Sequence, residues 1–467
     1  MQIFFFSLIV FVSKFGVITP SNQYCSQHLA SFAGSFEQCK PNDFCLASDA
    51  DRVHIKLFST KTAYQTEKSH DESKLRDFHV EDCTPSKVWL LIRHGTRLPT
   101  ASGIERFGEM EKLRDRIVEN MEKLQKPALC PDDLNMLKNW KWNDSITVNQ
   151  ANYLVEQGYK ELSAIAHNYK QYLPNLFQRP YDVNHFHFRH TNTERTRSSF
   201  RAFVNELFGE SAYKQIYAET PPNRPDLLLK AYANCPLWRD QKKKLKRTDS
   251  EVRKFEQSST FQKLIADVNS RFGFNGTLEA KEIKDIYGMC RYESAWHTDQ
   301  TSVWCSLLTL SQVHIFEYQE DLNYFYKSSH GSELNKNVKC FAMQDMLNRL
   351  SIDDGPAATV YFSHSAAVQL FLTSLGALKD DIDLKAENFA QMASIRKWKT
   401  SQISPFAANI GIVRYKCSSN DKVKFLLNEK VLQFDWCTPN GVCDWRDFKQ
   451  KYAFFANEDC DRVFCRR

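Results

Sequence analysis

The sequence contains no low-complexity tract and no internal repeat, and neither sign of charge dominates it. Its 467 residues carry 62 lysines and arginines against 56 aspartates and glutamates, a formal net charge of +6. This mild excess gives no indication of nucleic-acid binding, although it would suit an anionic small molecule. These absences indicate an ordinary globular protein, and the length is sufficient for a large hydrophobic core.

No hydrophobic run reaches the roughly 20 residues that a membrane-spanning helix needs. The apolar run Ile3–Val12 is much shorter, and Lys14 and a small or polar segment near Thr19–Pro20–Ser21 follow it. This pattern predicts a secretory signal peptide over residues 1–20 and no stable membrane span. An uncleaved signal anchor is the alternative, although the run is short for one.

The chain also has no CxxC pair of the kind found in zinc sites, although it has 14 cysteines. All of them follow the predicted signal peptide, the first is Cys25, and their number is even. Disulfides are therefore expected rather than a metal site. The sequons Asn143–Asp144–Ser145 and Asn275–Gly276–Thr277 fit glycosylation, and no KDEL-type retention signal is present. We expect a protein that is secreted or lies in the lumen of the secretory pathway.

Four apolar stretches that are separated by long helical patterns predict buried strands. They are Val88–Ile92, Asn184–Phe188, Ala357–Phe362 and Asn409–Tyr415. This alternation is typical of an α/β protein, so the fold expected is a mixed central sheet flanked by helices. The α/β core is predicted at about 50–205 and 340–435.

Between about 206 and 339 no strand pattern is convincing, which predicts a mainly α-helical inserted cap domain. Its predicted helices are Glu251–Phe272, Leu278–Met289 and Ser302–Tyr326. After Pro405 the pattern is strand-like again, and Lys422–Leu427 with Lys430–Phe434 predicts a hairpin. The tail at about 436–467 is expected to be stapled by disulfides of Cys437, Cys443, Cys460 and Cys465.

The stretch VWLLIRHGTRLPT, Val88–Thr100, ends a predicted buried strand in a cluster of charge. Guanidinium groups stay protonated and match the geometry of phosphate oxygens, so Arg93 and Arg97 could hold a phosphate group. Two such cations also oppose protonation of His94, and a neutral imidazole beside a bound phosphate is a nucleophile. Gly95 would permit close approach of the backbone. The alternative is a structural strand end whose arginines pair with carboxylates.

Other stretches resemble a known family. IRHGTRLP resembles the signature of the histidine acid phosphatase (phytase-like) branch of the histidine phosphatases. TNTERTRSSFRAFVNELFGE is similar to the segment in which that branch supplies a third phosphate-binding arginine, which corresponds to Arg195. FSTKTAYQ, CRYESAW, SVWCSLL and FEYQEDLNYFY resemble the multiple inositol polyphosphate phosphatases in particular. The resemblance covers roughly residues 45–435.

The resemblance implies a two-step hydrolysis of anionic phosphate esters such as inositol polyphosphates. His94 would attack phosphorus to form a phosphohistidine, which water then hydrolyses. Arg93, Arg97 and Arg195 would bind the phosphate oxygens, and positioning with charge stabilisation would supply most of the catalysis. Arg195 is predicted in a first helical turn, where the helix dipole adds positive potential. No metal or organic cofactor is implied.

The family's second signature is a histidine that contacts the phosphate, followed by an acid that protonates the leaving group. The matching stretch, VYFSHSAAVQLFLTSLGALKD, supplies His364. The acid is Asp directly after the histidine or Glu two places after it, and here these positions are Ser365 and Ala366. Neither position therefore holds an acid. A positioned acid typically accelerates such a reaction by about 10²–10⁴-fold, so its loss is expected to slow the release of the alcohol.

No evident substitute for the acid stands nearby in the sequence. Asp353–Asp354 lie at the far end of the predicted strand, too distant to reach. Glu194 could point inward, although an ion pair with a neighbouring arginine is the simpler interpretation. Ser365 is better explained as an N-cap, and water could donate slowly.

Two further motifs have functional interpretations. His185, His187 and His190 alternate on a predicted strand and could ligate a metal, although surface or packed histidines are the simpler interpretation. The run Arg239–Arg247 (RDQKKKLKR) could attract polyphosphates, or it could be a solvated helix face.

Three functions fit the sequence. The first is a secreted phosphomonoesterase acting on inositol polyphosphates through His94. The second is an inactive or weakly active relative that binds phosphate or inositol phosphates. The third is a phosphatase limited to esters whose leaving groups need no acid. The intact His94, Arg93, Arg97, Arg195 and His364 favour the first, whereas Ser365 and Ala366 favour the others.

Overall fold

The computed structural model describes residues 45–49, 52–67, 77–219 and 225–466, in which a mixed eight-stranded sheet is surrounded by helices. The predicted signal peptide and Cys25 lie outside these residues. The strands are β1 Cys83–Arg93, β2 Phe186–His190, β3 Ala218–Glu219, β4 Ala358–Ser363, β5 Asn409–Cys417, β6 Lys422–Leu427, β7 Lys430–Val431 and β8 Val442–Asp444. Their order is β3-β2-β4-β1-β5-β6-β7, with β8 beside β6. The predicted fold class is confirmed.

The centre of the sheet follows from the most apolar stretch of the chain. β1 runs parallel to β4 on one side and antiparallel to β5 on the other. Its residues are buried from Lys87 to Arg93, because both faces of the sheet are covered. Trp89 and Leu91 pack into one core cluster, and Leu90 and Ile92 pack into the other.

Fifteen described helices precede β4, and those that follow β3 make up the long segment between the two strands. They are α1 Tyr64–Glu67, α2 Ala101–Gly108, α3 Met110–Glu122, α4 Pro131–Asn139, α5 Glu156–Tyr172, α6 Pro174–Phe177, α7 Glu194–Phe208, α8 Leu227–Asn234, α9 Pro236–Lys244, α10 Glu251–Gln257, α11 Ser259–Arg271, α12 Ala280–Trp296, α13 Leu310–Ser328, α14 Leu334–Asn337 and α15 Cys340–Ser351. Those after β4 are α16 Ser365–Leu375, α17 Phe389–Ile395, α18 Thr400–Ile403, α19 Trp445–Lys451, α20 Ala453–Asn457 and α21 Cys460–Val463. No helix of the described residues has the length and apolar character needed to cross a membrane.

The predicted elements differ from the observed ones mainly at short breaks. β3 was not expected, because two residues carry no readable periodicity. The predicted helix Glu251–Phe272 is wrong at Ser258, which has an extended backbone and caps a second helix with its side chain. The predicted helix Ser302–Tyr326 is a 3-10 turn at Val303–Leu307, followed by α13 with Thr309 as its cap. The second hairpin strand covers only Lys430–Val431.

Disulfides link distant parts of the described chain. The bonds are Cys45–Cys130, Cys83–Cys417, Cys235–Cys465, Cys290–Cys305, Cys340–Cys460 and Cys437–Cys443. Two of them attach the C-terminal helices to α15 and to the start of α9, so the tail is stapled to the helical segment as well as to itself. Such long-range links restrict the unfolded chain and stabilise the fold.

Candidate active site

Three predicted site segments meet at one edge of the sheet. β4 pairs in parallel with β1 and with β2, and Arg93 lies opposite Ser363 in the β1–β4 register. The residues that follow these three strands are therefore neighbours at the carboxyl edge, where open α/β sheets bind ligands. They carry His94, Arg195 and His364.

His94 is a buried imidazole with a defined tautomer. Its Nδ1 lies 2.9 Å from the carbonyl oxygen of Gly95. Because a carbonyl can only accept, Nδ1 carries the proton and Nε2 keeps its lone pair. Burial, with Arg93 and Arg195 next in effect, holds the pKa of His94 well below its usual range. The imidazole is therefore neutral at neutral pH, as a nucleophile requires.

Arg93 is held rigidly by the backbone. Its Nη1 donates to the carbonyl oxygens of Thr60 and Ser404, both at 2.7 Å, and its guanidinium lies 4.5 Å from the Phe406 ring centroid. Arg97 donates to the Leu98 carbonyl. Within the described residues no ion pair joins Arg93, Arg97 or Arg195 to a carboxylate, so the carboxylate pairing expected for a structural strand end is not found.

Arg195 and His364 contact each other across the strand ends. Nη2 of Arg195 lies 3.3 Å from Nδ1 of His364, and Nε2 of His364 lies 3.0 Å from Oγ1 of Thr191. A guanidinium only donates, so Nδ1 accepts and Nε2 carries the proton. Burial first, then the charges of Arg195 and Lys230, hold the pKa of His364 well below its usual range. The His94 and His364 ring centroids are 5.5 Å apart.

Helix α5 fixes the loop that carries His94 and Arg97. A Cβ on Gly95 would lie 2.6 Å from the carbonyl oxygen of Gly158, so the loop and helix backbones are in direct contact. One turn later Glu161, fully buried, accepts bonds from Thr96 N at 2.7 Å, Thr96 Oγ1 at 2.8 Å and Tyr64 N at 3.2 Å. Burial raises the pKa of Glu161 to about 7. This carboxylate orients the loop and does not face the cavity.

A cavity of about 650 Å³ opens above His94. Its lining includes ten lysines and arginines, and no aspartate or glutamate is among its described residues. The basic residues are Lys61, Arg93, Arg97, Lys230, Arg195, Arg239, Lys242, Lys243, Lys246 and Lys327, and burial holds the pKa of Lys61 well below its usual range. Lys243 pairs with Asp240 outside the lining, and the remaining excess of positive charge favours a ligand with several negative charges.

The corner that follows β4 carries no acid. His364, rather than Ser365, is the N-cap of α16, and Ser365 is the first helical residue, which corrects the N-cap prediction. Ala366 is buried and belongs to the same core cluster as Ala231, Tyr232 and Trp238. Both Ser365 and Ala366 line the cavity.

Glu194 and Asp353, the other candidate acids near the site in sequence, form hydrogen bonds or ion pairs elsewhere in the fold. Glu194 accepts bonds from Leu154 N at 3.0 Å and Ser198 Oγ at 2.6 Å, so the simple ion pair expected for it is wrong. Asp353 binds Arg414 at 2.9 Å, beyond the far end of β4.

The remaining motifs divide between the site and the body of the fold. Arg239, Lys242, Lys243 and Lys246 from the basic run line the cavity. His185 and His187 approach Arg179 and Arg349, and His190 contacts a backbone carbonyl. In the described ranges one group of side chains has metal-ligand spacing, Cys45, Cys130 and Asp133, and its two cysteines form a disulfide.

Sequence reasoning missed several cavity residues. Lys61 lies in the stretch FSTKTAYQ, which carried part of the family resemblance, so that stretch could have indicated it. Lys230 lines the cavity from α8, at a residue whose backbone departs from helical geometry, with φ −132° and ψ 32°. Lys327 comes from the last turn of α13. Their positions depend on tertiary contacts that no local pattern encodes.

Comparison with known proteins connects this geometry to a family. The model of the histidine phosphatase superfamily (branch 2) matches residues 86–428. Multiple inositol polyphosphate phosphatase 1 of Drosophila melanogaster is 41% identical over 433 residues, which cover 91% of this chain and 91% of that protein. The human protein of the same name is 24% identical over 443 residues, with 86% and 88% covered.

Solved structures show the same fold. The phytase from D. castellii superposes with a TM-score of 0.66 at 17% identity and covers 86% of each chain. The multiple inositol polyphosphate phosphatase of Bifidobacterium longum, in complex with inositol hexasulfate, gives a TM-score of 0.62 at 15% identity. That match covers 82% of this chain and 94% of the other.

Proposed function

Because this chain belongs to branch 2 of the histidine phosphatase superfamily, we propose that it is a phosphomonoesterase for inositol polyphosphates. The observation that carries the proposal is the cavity itself, with neutral His94 at its base and cations on its walls. An inositol ring with several phosphate groups matches this excess of positive charge, and a singly charged ester would use little of it.

The reaction begins with in-line attack of His94 Nε2 on phosphorus. The Nδ1 proton, bonded to Gly95 O, keeps the Nε2 lone pair directed away from the loop. Arg93, Arg97 and Arg195 bind the oxygens of the transferring group and stabilise the charge that develops there. The bond from phosphorus to the ester oxygen breaks, a phosphohistidine forms, and water then releases phosphate.

Lysines farther up the cavity bind the phosphates that do not react. Lys242 and Lys246 belong to the basic run Arg239–Arg247, which starts within α9 and extends past its end, and Lys327 comes from α13. The charge of Lys327 is the largest effect that lowers the pKa of Lys242, which shows how closely these cations are crowded. A second phosphate group would relieve that repulsion.

Ser365 and Ala366 favour a second candidate, a protein that binds inositol polyphosphates with little turnover or hydrolyses only esters with good leaving groups. An inositol alkoxide leaves poorly without a proton, and no described carboxylate lines the cavity to supply one. The two candidates share the phosphate-binding geometry and differ in the rate of ester cleavage.

We also propose that the protein works outside the cell or in a secretory compartment. Six disulfides among the described cysteines and an N-terminal signal-like sequence support this location. The exposed sequons at Asn143 and Asn275 are the proposed glycosylation sites.

The test is phosphate release from inositol hexakisphosphate and from an aryl phosphate by wild type and His94→Ala. The proposal expects turnover of the aryl ester by wild type, slower cleavage of inositol hexakisphosphate, and loss of both activities in His94→Ala. Equal rates for the two proteins on either substrate would contradict the mechanism. Tight binding of inositol hexakisphosphate with no turnover of either ester would favour the binding protein.

A further inference from the structure

The cavity holds the arginines and the histidine that the proposed phosphoryl transfer needs, but the segment after β4 offers no carboxylic acid for proton transfer. Resting on the proposed function, we infer that with aryl esters the phosphohistidine at His94 accumulates as a long-lived state of the protein. The enzyme then binds one phosphoryl group per site and releases it slowly.

The first step with an aryl ester needs only the groups that are present. His94 Nε2 forms the bond to phosphorus, and the electron pair of the breaking bond leaves with an aryl oxide that is stable without a proton. Arg93 is fixed by two backbone carbonyls at 2.7 Å, and Arg195 is adjacent, so the phosphoryl oxygens meet cations already in place. Formation of the phosphohistidine is therefore expected to be fast.

The second step needs a group that the corner does not supply. A water oxygen must bond to phosphorus while the phosphorus–nitrogen bond breaks and its electron pair returns to Nε2. The water must also lose a proton. In a two-step transfer the acid that protonates the leaving group is afterwards the base that accepts this proton, so one missing carboxylate slows both steps for a poor leaving group. For a good leaving group it slows only the second.

Nearby carboxylates of the described chain are committed elsewhere. Glu161 accepts three bonds beneath the loop, and both oxygens of Glu194 are occupied by Leu154 N and Ser198 Oγ. Glu320 pairs with Arg291 at 3.3 Å. None of these three lines the cavity.

The cavity charges also favour retention of the phosphoryl group. Its oxygens would lie in a cavity lined by ten basic side chains and by no described carboxylate. His364 cannot readily become the base, because its Nδ1 already accepts from Arg195 and its Nε2 proton is directed at Thr191. The proton of the attacking water must therefore pass to solvent or to the phosphoryl group, which is slow.

The experiment is a stopped-flow measurement of aryl oxide release when wild type meets excess nitrophenyl phosphate. We expect a burst approaching one equivalent per site, then a slow steady rate. After quenching in base, intact mass should show one added phosphoryl group, which peptide mapping should place on His94. His94→Ala should show neither burst nor adduct.

Two variants at one position separate proton transfer from shape. Ala366→Glu should shorten the lifetime of the phosphohistidine by about 10²-fold or more and diminish the burst. Ala366→Gln places a side chain of similar size there without a titrating group, and the adduct should persist. If Ala366→Glu does not fold, the wild-type burst and adduct remain a sufficient test.

The outcomes distinguish the inference from the function on which it rests. Steady turnover from the first cycle that depends on His94, with no adduct at quench, would overturn accumulation and leave the phosphatase function intact. Absence of both turnover and adduct in wild type would overturn the two together. Equal acceleration of adduct decay by Ala366→Glu and Ala366→Gln would also overturn the inference, because a carboxylate would then not be the missing element.

Discussion

The carboxyl ends of β1 and β4 lie side by side in the sheet, yet they are equipped very differently. Beyond β1 the loop carries His94 between two arginines, and α5 holds it through Gly158 and Glu161. Beyond β4 the chain supplies His364 and then Ser365 and Ala366, and Ala366 is buried in a core cluster that includes Tyr232 and Trp238. In the proposed mechanism the first end binds and attacks phosphorus, whereas the second carries no carboxylic acid that could protonate the leaving group.

Under the proposed function, phosphate binding and alcohol release are separable parts of one site. Binding depends on fixed charge, which arginines and lysines from several elements supply. Proton transfer depends on one group within hydrogen-bond reach of the leaving oxygen, so groups elsewhere in the cavity cannot replace a missing acid. The account therefore expects mutations at the β1 end to impair both esters and mutations at the β4 end to change which ester is cleaved.

The largest expected loss in this group of predictions is for Arg195→Ala. Removal of the guanidinium eliminates a phosphate ligand and the bond to His364, and kcat/KM for an aryl phosphate should fall by about 10²–10³-fold. Arg197→Ala is the matched control, since Arg197 is an exposed residue in the same helical turn. Equal activity of Arg195→Ala and wild type would show that the third arginine does not bind the reacting group.

A smaller loss is expected for Glu161→Gln, which tests how the β1 end is held. An amide cannot accept bonds through its nitrogen, so one or more of the three donors loses its partner at a cost of about 1–3 kcal/mol. We expect a lower melting temperature and a kcat reduced about tenfold, with KM less affected. Glu156→Gln, at an exposed position on α5, is the control. An unchanged kcat with lowered stability would assign Glu161 to folding alone.

Removal of distal charge should have a more modest and substrate-dependent effect. The double substitution Lys242→Gln, Lys246→Gln should raise KM for inositol hexakisphosphate by roughly tenfold at low salt. KM for an aryl phosphate should rise less, because that ester has no distal phosphates. Added salt should reduce the difference, because exposed charges are screened. Lys123→Gln, at the exposed C-cap of α3, is the control. Equal changes in KM for both esters would argue against a role in binding distal phosphates.

The smallest effect concerns pH. Only neutral His94 is nucleophilic, and its lowered pKa moves protonation to more acidic solution than for an ordinary histidine, which titrates near about 6.5. The rate of aryl oxide release in the first turnover should therefore show no loss with a midpoint near about 6.5. A loss of rate with a midpoint at that pH, after correction for the ionisation of the substrate, would contradict the described environment of His94.

The sequence identified the parts of the fold and site that depend on local pattern. The strand at Val88–Ile92 is an uninterrupted apolar run, and the segments with Arg93, His94, Arg195 and His364 each follow a readable strand. The structure brings them to one edge, as the parallel pairing of β1, β2 and β4 requires. Their catalytic roles remain predictions.

Features set by tertiary contacts were not readable in this way. Glu161 lies in an amphipathic helix, and nothing near it in sequence indicates that it meets Thr96. Lys230 and Lys327 come from separate helices of the long segment between β3 and β4. The break between α10 and α11 is not predicted because the apolar spacing continues across it. Ser258 has an extended backbone and caps α11 with its side chain, so the helix ends and restarts there.

The central claim is that the β1 end is complete and the β4 end lacks only a proton-transfer group. Its most direct test compares kcat/KM for inositol hexakisphosphate among wild type, Ala366→Glu and Ala366→Gln, with an aryl phosphate measured in parallel. The account predicts a gain of about 10²–10⁴-fold for Ala366→Glu on inositol hexakisphosphate, a much smaller change on the aryl ester, and no gain for Ala366→Gln. A correctly folded Ala366→Glu that cleaves inositol hexakisphosphate no faster than Ala366→Gln would contradict it.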